Sequence, residues 1–71
     1  PPDLRLLVQD ALTWSGHYVG TIDGEIGAST VRAARAFQRD IGERPTGILT
    51  PDQIDSLLAD ARDAKEEVGY A

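Results

Sequence analysis

Three arginines, Arg32, Arg35 and Arg39, recur at spacings of three and four residues, which places them on one face of a helix. A guanidinium is a planar, permanently charged fork that holds a carboxylate through two parallel hydrogen bonds. This chemistry binds an anion and does not transform one. The competing reading is a solvated helix face, partly paired with acidic residues elsewhere. Residues 28–44 carry four arginines against Asp40 and Glu43, whereas residues 52–67 carry six acids against Arg62 and Lys65, so the charge is lopsided. The net charge of −5 argues against nucleic acid, whose phosphates need a basic footprint.

The other reactive side chains form no catalytic set. Ser15, Ser29 and Ser56 fall at or near helix ends or faces, and none is matched to a His–Asp relay. His17 is the single histidine and cysteine is absent. Zinc takes three or four ligands of defined geometry, which this inventory does not supply. Asp23-Gly24-Glu25 lacks the remaining positions of a calcium loop. His17 is read as an exposed loop residue, and no metal or cofactor is expected. Asp23 suits a structural role, accepting local amides while Gly24 takes positive φ; a ligand-facing role at a groove edge is the alternative. Tyr18 is expected to pack its ring on the loop with its hydroxyl near the surface. Gln38 follows Phe37 and is expected to bond loop backbone across the domain.

The elements that position these groups are legible. Gly16, Gly20, Gly24 and Gly27 fall within twelve residues, with Tyr18, Ile22 and Ile26 between them. A flexible linker would not carry bulky apolar residues at such intervals, so the stretch reads as an ordered connector folded on a core. Before it, Asp3 can cap a helix whose apolar stripe is Leu4, Val8, Ala11 and Leu12, with Gly16 as its stop. Trp14 sits off that stripe, either half-buried at its flank or exposed as a platform for a sugar or partner. After the connector, a second helix begins near Ala28, with Gly27 at its cap and Ser29 and Thr30 available to first-turn amides. Its inner face is Thr30, Ala33, Ala34, Phe37 and Ile41. Gly42 ends it, and Glu43-Arg44-Pro45-Thr46-Gly47 is a turn cluster. Thr50-Pro51-Asp52-Gln53 is a capping box with proline in the first helical position. Ile48 and Leu49 can tuck under that turn, and Ile54, Leu57, Leu58 and Ala61 form the third stripe. No internal repeat is evident. Short extended stretches near Ile22 and Ile48 offer at most a weak pairing.

At 71 residues the chain is one small domain, marginal unless well packed. Its apolar fraction of 41% and charged fraction of 27% are those of a globular domain. No apolar run approaches the ~20 residues that span a bilayer. Residues 1–61 are expected to form the domain and 62–71 a helix end or the start of a linker to another domain. A chain that opens Pro1-Pro2 and closes Gly69-Tyr70-Ala71 is expected to be a piece of a longer protein.

In this order the residues resemble the PGBD-like peptidoglycan-binding domain family, peptidoglycan binding domain 1. Ala11-Leu12 with Gly16-His17-Tyr18 resembles its A-L-x-x-x-G-[YF]-Y. Gly20-Thr21-Ile22-Asp23-Gly24 resembles its G-x-[IV]-D-G, and Gly27 with Thr30 its G-x-x-T. Phe37-Gln38 and Thr46-Gly47-Ile48-Leu49 resemble its F-Q and T-G-x-L. The likeness covers roughly residues 4–58. It implies an all-α, compact three-helix orthogonal bundle with a long Gly-rich loop between helices 1 and 2. It implies a non-catalytic module that holds an attached domain or exported protein on the bacterial cell wall, in the periplasm, wall or extracellular space. The implied partner is peptidoglycan glycan or stem peptide, or another domain of the same chain, bound by a monomer. Tyr18, Asp23, Thr30, Arg32 and Arg35 are the candidate ligand-binding residues, in a shallow groove between the Gly16–Gly27 loop and the second helix. The rival reading is a protein-interaction or regulatory module on the same fold that has lost wall binding. It draws on Glu43 and Pro45, where the family usually has Leu and Val, and on Trp14 and the acidic third helix.

Overall fold

The structure, a computed structural model, describes residues 3–17, 20 and 22–69. Three helices follow in order: α1 (Leu4–Trp14), α2 (Ala28–Asp40) and α3 (Pro51–Glu67). No strand occurs among the described residues, so the stretches near Ile22 and Ile48 do not pair as a sheet. The all-helical architecture expected from the periodicity is the one observed.

Local signals set the helix ends. Asp3 caps α1 by accepting the Arg5 amide at 2.9 Å. At the other end the Gly16 amide donates to the Thr13 carbonyl and the His17 amide to the Leu12 carbonyl, the paired closure that satisfies last-turn carbonyls. α2 ends the same way, through Gly42 to Arg39 and Glu43 to Gln38. The capping box of α3 is complete: Gln53 N donates to Thr50 Oγ1 at 3.2 Å, and Thr50 N to Gln53 Oε1 at 3.0 Å. Gly27 caps α2 with no side-chain bond. Thr30 does not serve the first-turn amides as expected; its hydroxyl is engaged by α1 instead.

α1 packs against both other helices. Each helix brings a buried alanine beside a large residue to the shared core, Ala11 with Leu12, Ala33 with Phe37, and Ala61 with Leu57, and α1 adds Val8. The alanines let the backbones approach while the large residues fill the space between them. Trp14, Leu49, Ile54 and Leu58 close over this core partly buried. Trp14 is therefore a flank residue, and the Lys65 ammonium lies 5.7 Å from its ring centroid. Lys65 also binds Asp10 at 2.7 Å, which ties the last turns of α3 to α1 and keeps residues 62–67 in the helix. Several residues expected to face inward lie further out than their positions suggested. Leu4 is 50% exposed, Ile41 40% and Ile48 79%. Ile48 projects from its loop and does not tuck beneath α3.

Phe37 is the largest fully buried side chain and meets all three helices' contributions. Phe37→Ala is expected to cost about 3–5 kcal/mol, most of the stability of a domain whose total starts near ~5 kcal/mol. Urea unfolding followed by circular dichroism should show no folded baseline for Phe37→Ala, and a lowered but cooperative transition for Phe37→Leu.

Candidate functional site

Two glutamine side chains are fully buried, Gln9 on α1 and Gln38 on α2. A buried carboxamide has two donor hydrogens and an acceptor oxygen to satisfy. Gln9 does so on the first loop. Its Oε1 accepts the amides of Asp23 (3.1 Å) and Gly24 (2.8 Å). Its Nε2 has three acceptors for its two hydrogens: the Glu25 carbonyl (2.9 Å), Thr30 Oγ1 (3.1 Å) and, longest, Asp23 Oδ1 (3.3 Å). Gln38 repeats the pattern on the second loop. Its Oε1 accepts the Gly47 amide (2.8 Å), and its Nε2 faces Thr46 Oγ1 (3.2 Å), the Ile48 carbonyl (3.1 Å) and Gln53 Oε1 (3.0 Å).

The correspondence holds position by position. In each loop a short polar residue precedes a positive-φ glycine: Asp23 before Gly24 (φ 79) and Thr46 before Gly47 (φ 83). That residue's side chain accepts the amide just after the glycine, Glu25 N to Asp23 Oδ1 and Ile48 N to Thr46 Oγ1. The helix cap falls three residues past each glycine, at Gly27 and Thr50, and the third helical residue, Thr30 or Gln53, closes the ring. A repeated device thus exists where the sequence shows no repeat. Gln9 lies 15 residues from its glycine and Gln38 lies 9 from its own.

Gly47 is constrained by space as well as by φ. A Cβ there would lie 2.8 Å from Val31 Cγ1 and 3.2 Å from Arg35 Nε. The loop therefore lies flat against α2, beneath the Arg35 side chain.

Between the two pinned loops runs a groove of about 290 Å³. Leu4, Arg5 and Val8 of α1 form one wall, and Thr30, Val31 and Ala34 of α2 the floor. Ile26, Gly47, Ile48, Leu49 and Ile54 complete it. Leu4, Ile26 and Ile48 stand half or more exposed at this groove. Arg5 reaches back to Asp3 at 3.0 Å. That bond, first through the Arg5 side chain, holds the Asp3 carboxyl below its ordinary value.

The five expected site residues separate. Thr30 lines the groove but is buried, its hydroxyl accepting from Gln9. Arg35 is exposed; it is not among the lining residues, but its side chain lies against Gly47, which is. Arg32 is exposed on α2 and does not line the groove. Asp23 serves the loop itself. The Glu25 amide, then the Gln9 side chain, hold its carboxyl below the ordinary aspartate value. Tyr18 lies outside the described residues. Gln38 bonds loop backbone as its position suggested. Gln9 was missed, although it follows Val8 on a buried stripe as Gln38 follows Phe37.

His17 also departs from expectation. Its side chain is only 14% exposed. It meets the Phe37 ring edge-on, pairs through Nε2 with Asp40 Oδ2, and lies 2.7 Å from Ser15 Oγ through Nδ1. This places a Ser–His–Asp chain where none was foreseen. Its geometry is that of a latch between the ends of α1 and α2. Ser15 Oγ donates to the Leu12 carbonyl at 2.9 Å, and Asp40 is 67% exposed, unlike the buried carboxylate that orients a catalytic imidazole.

A family model described as a peptidoglycan binding domain matches residues 2–57. That span holds both glutamine devices and every residue lining the groove. No curated protein and no solved structure matches the chain.

Removing Gln9 strands the Asp23 and Gly24 amides, and removing Gln38 strands that of Gly47. Each alanine substitution is expected to lower stability by about 1–3 kcal/mol, read from urea midpoints. Gln9→Glu keeps the shape but loses both donor hydrogens, so it should fare no better than Gln9→Ala.

Proposed function

The chain belongs to the peptidoglycan binding domain family, and from that premise we propose that it is a non-catalytic module that retains an attached domain on the bacterial cell wall. The observation that carries the reading is the groove itself. It is concave, mainly aliphatic and framed by two loops whose backbone is fixed by buried glutamines. A site whose loops are already held loses little conformational freedom on binding. Arg35 at its edge supplies a cation on a chain of net charge −5, and peptidoglycan stem peptides carry free carboxylates that a guanidinium grips.

The affinity of one such groove is weak, because little surface is covered. Tethering to a second domain, or to further copies, raises the effective concentration and converts weak contacts into retention. The module then works in the periplasm, wall or extracellular space, as a monomer, with chemistry supplied by its neighbour. Ser15, His17 and Asp40 act as the latch described above. The exposed aliphatics Leu4, Ile26 and Ile48 support one rival occupant, a protein partner on the same groove.

Sedimentation with purified insoluble peptidoglycan tests the reading. The wild-type chain is expected in the pellet, with less pelleting as salt rises. Ile48→Asp, at an exposed position where stability is little affected, should shift most of it to the supernatant. Wild-type protein that stays in the supernatant at low and moderate salt contradicts wall binding. Capture by the remainder of its parent chain in that case favours the protein-interaction reading.

A further inference from the structure

We propose that the groove takes the stem peptide of peptidoglycan and not its glycan strand, with Arg35 as the carboxylate anchor; this rests on the wall-binding reading above. The lining decides between the two. Its walls are aliphatic, chiefly Val8, Ile26, Val31, Ile48 and Leu49, and among the described residues no aromatic ring lines it. A sugar ring finds no flat face to stack on among these residues. It also finds few polar partners, since the Thr30 hydroxyl is buried and already accepts from Gln9. Sugar hydroxyls pressed into such a groove would lose water without replacement. Alanyl methyl groups meet the same walls at no such cost.

Charge points the same way. Arg5, the one arginine among the described lining residues, already pairs with Asp3. Arg35 makes no hydrogen bond or ion pair among the described residues, and its side chain crosses Gly47 at the groove edge. A short peptide with small side chains and a free carboxylate satisfies both features. The volume of about 290 Å³ lies at the small end of ligand pockets, which run from about 300 Å³ upward. That suits a few small residues and not a folded partner.

The test compares three probes on the wild-type chain: intact peptidoglycan, peptidoglycan stripped of stem peptides by an amidase, and a soluble alanine-containing stem tetrapeptide. Pelleting should occur with the intact material and be lost on the stripped glycan. The soluble peptide should compete, and should shift the amide resonances of Val31, Gly47 and Ile48. Amidation of the peptide's carboxylates, or Arg35→Gln, should weaken binding about tenfold, as expected for one charge-assisted contact. Amidation leaves the protein unaltered, so it reads the anchor even if the variant is destabilised. Equal pelleting with intact and stripped material overturns the inference and leaves wall binding standing. Shifts centred on Asp23 with none at Gly47 overturn it too. Failure to bind intact peptidoglycan overturns the wall-binding reading itself.

Discussion

Two buried carboxamides hold this fold to one shape. A side-chain amide enclosed in protein must find partners for its hydrogens and its oxygen, or it costs more than an apolar residue would. Gln9 and Gln38 find theirs on loop backbone, and among the described residues no buried side-chain nitrogen or oxygen lacks a partner. Each loop thereby loses its freedom to slide. The glycine that opens each turn is seated by its own amide, and the cap of the next helix falls three residues later. The chain has no cysteine and the described loop residues no strand, so these bonds supply what sheet pairing would supply elsewhere.

Packing and polar bonding depend on each other here. Gln9 is placed by Val8 and Leu12 on the buried face of α1, and Gln38 by Phe37 on α2. The helices set where the carboxamides sit, the carboxamides set the loops, and the loops frame the groove. A change in the core therefore reaches the groove by a short physical route. The latch of His17 on Asp40, over the Phe37 ring, fastens the start of the first loop to the end of α2. The Lys65–Asp10 bridge does the same for the far end of α3.

How much could be read in advance followed how local each signal was. The start of α3 was plain because Thr50, Pro51 and Gln53 act within one turn. The stripes of α1 and α2 were plain from their spacing, and Gln38 because it adjoins the one phenylalanine. Gln9 escaped notice because its partners lie 14 to 21 residues away. The duplication escaped because the two loops differ in length, so no fixed period exists. His17 looked like a loop histidine because nothing near it in the chain announces Asp40. Ile48 looked buried because apolar residues before a capping box often are; in fact Gln38 takes its carbonyl and turns its side chain outward into the groove. The arginines were read as candidate anion-binding groups, but only the fold shows that Arg35 lies against Gly47 of the groove lining and Arg32 does not.

Amide hydrogen exchange at Gly24 and Gly47 tests the central claim most directly. If the carboxamides hold the loops as described, these two amides exchange only when the whole domain unfolds, as slowly as buried helical amides such as those of Leu12 and Phe37. Exchange at the rate of exposed loop amides, with the helices still protected, would mean that the loops move independently and that no preformed groove exists.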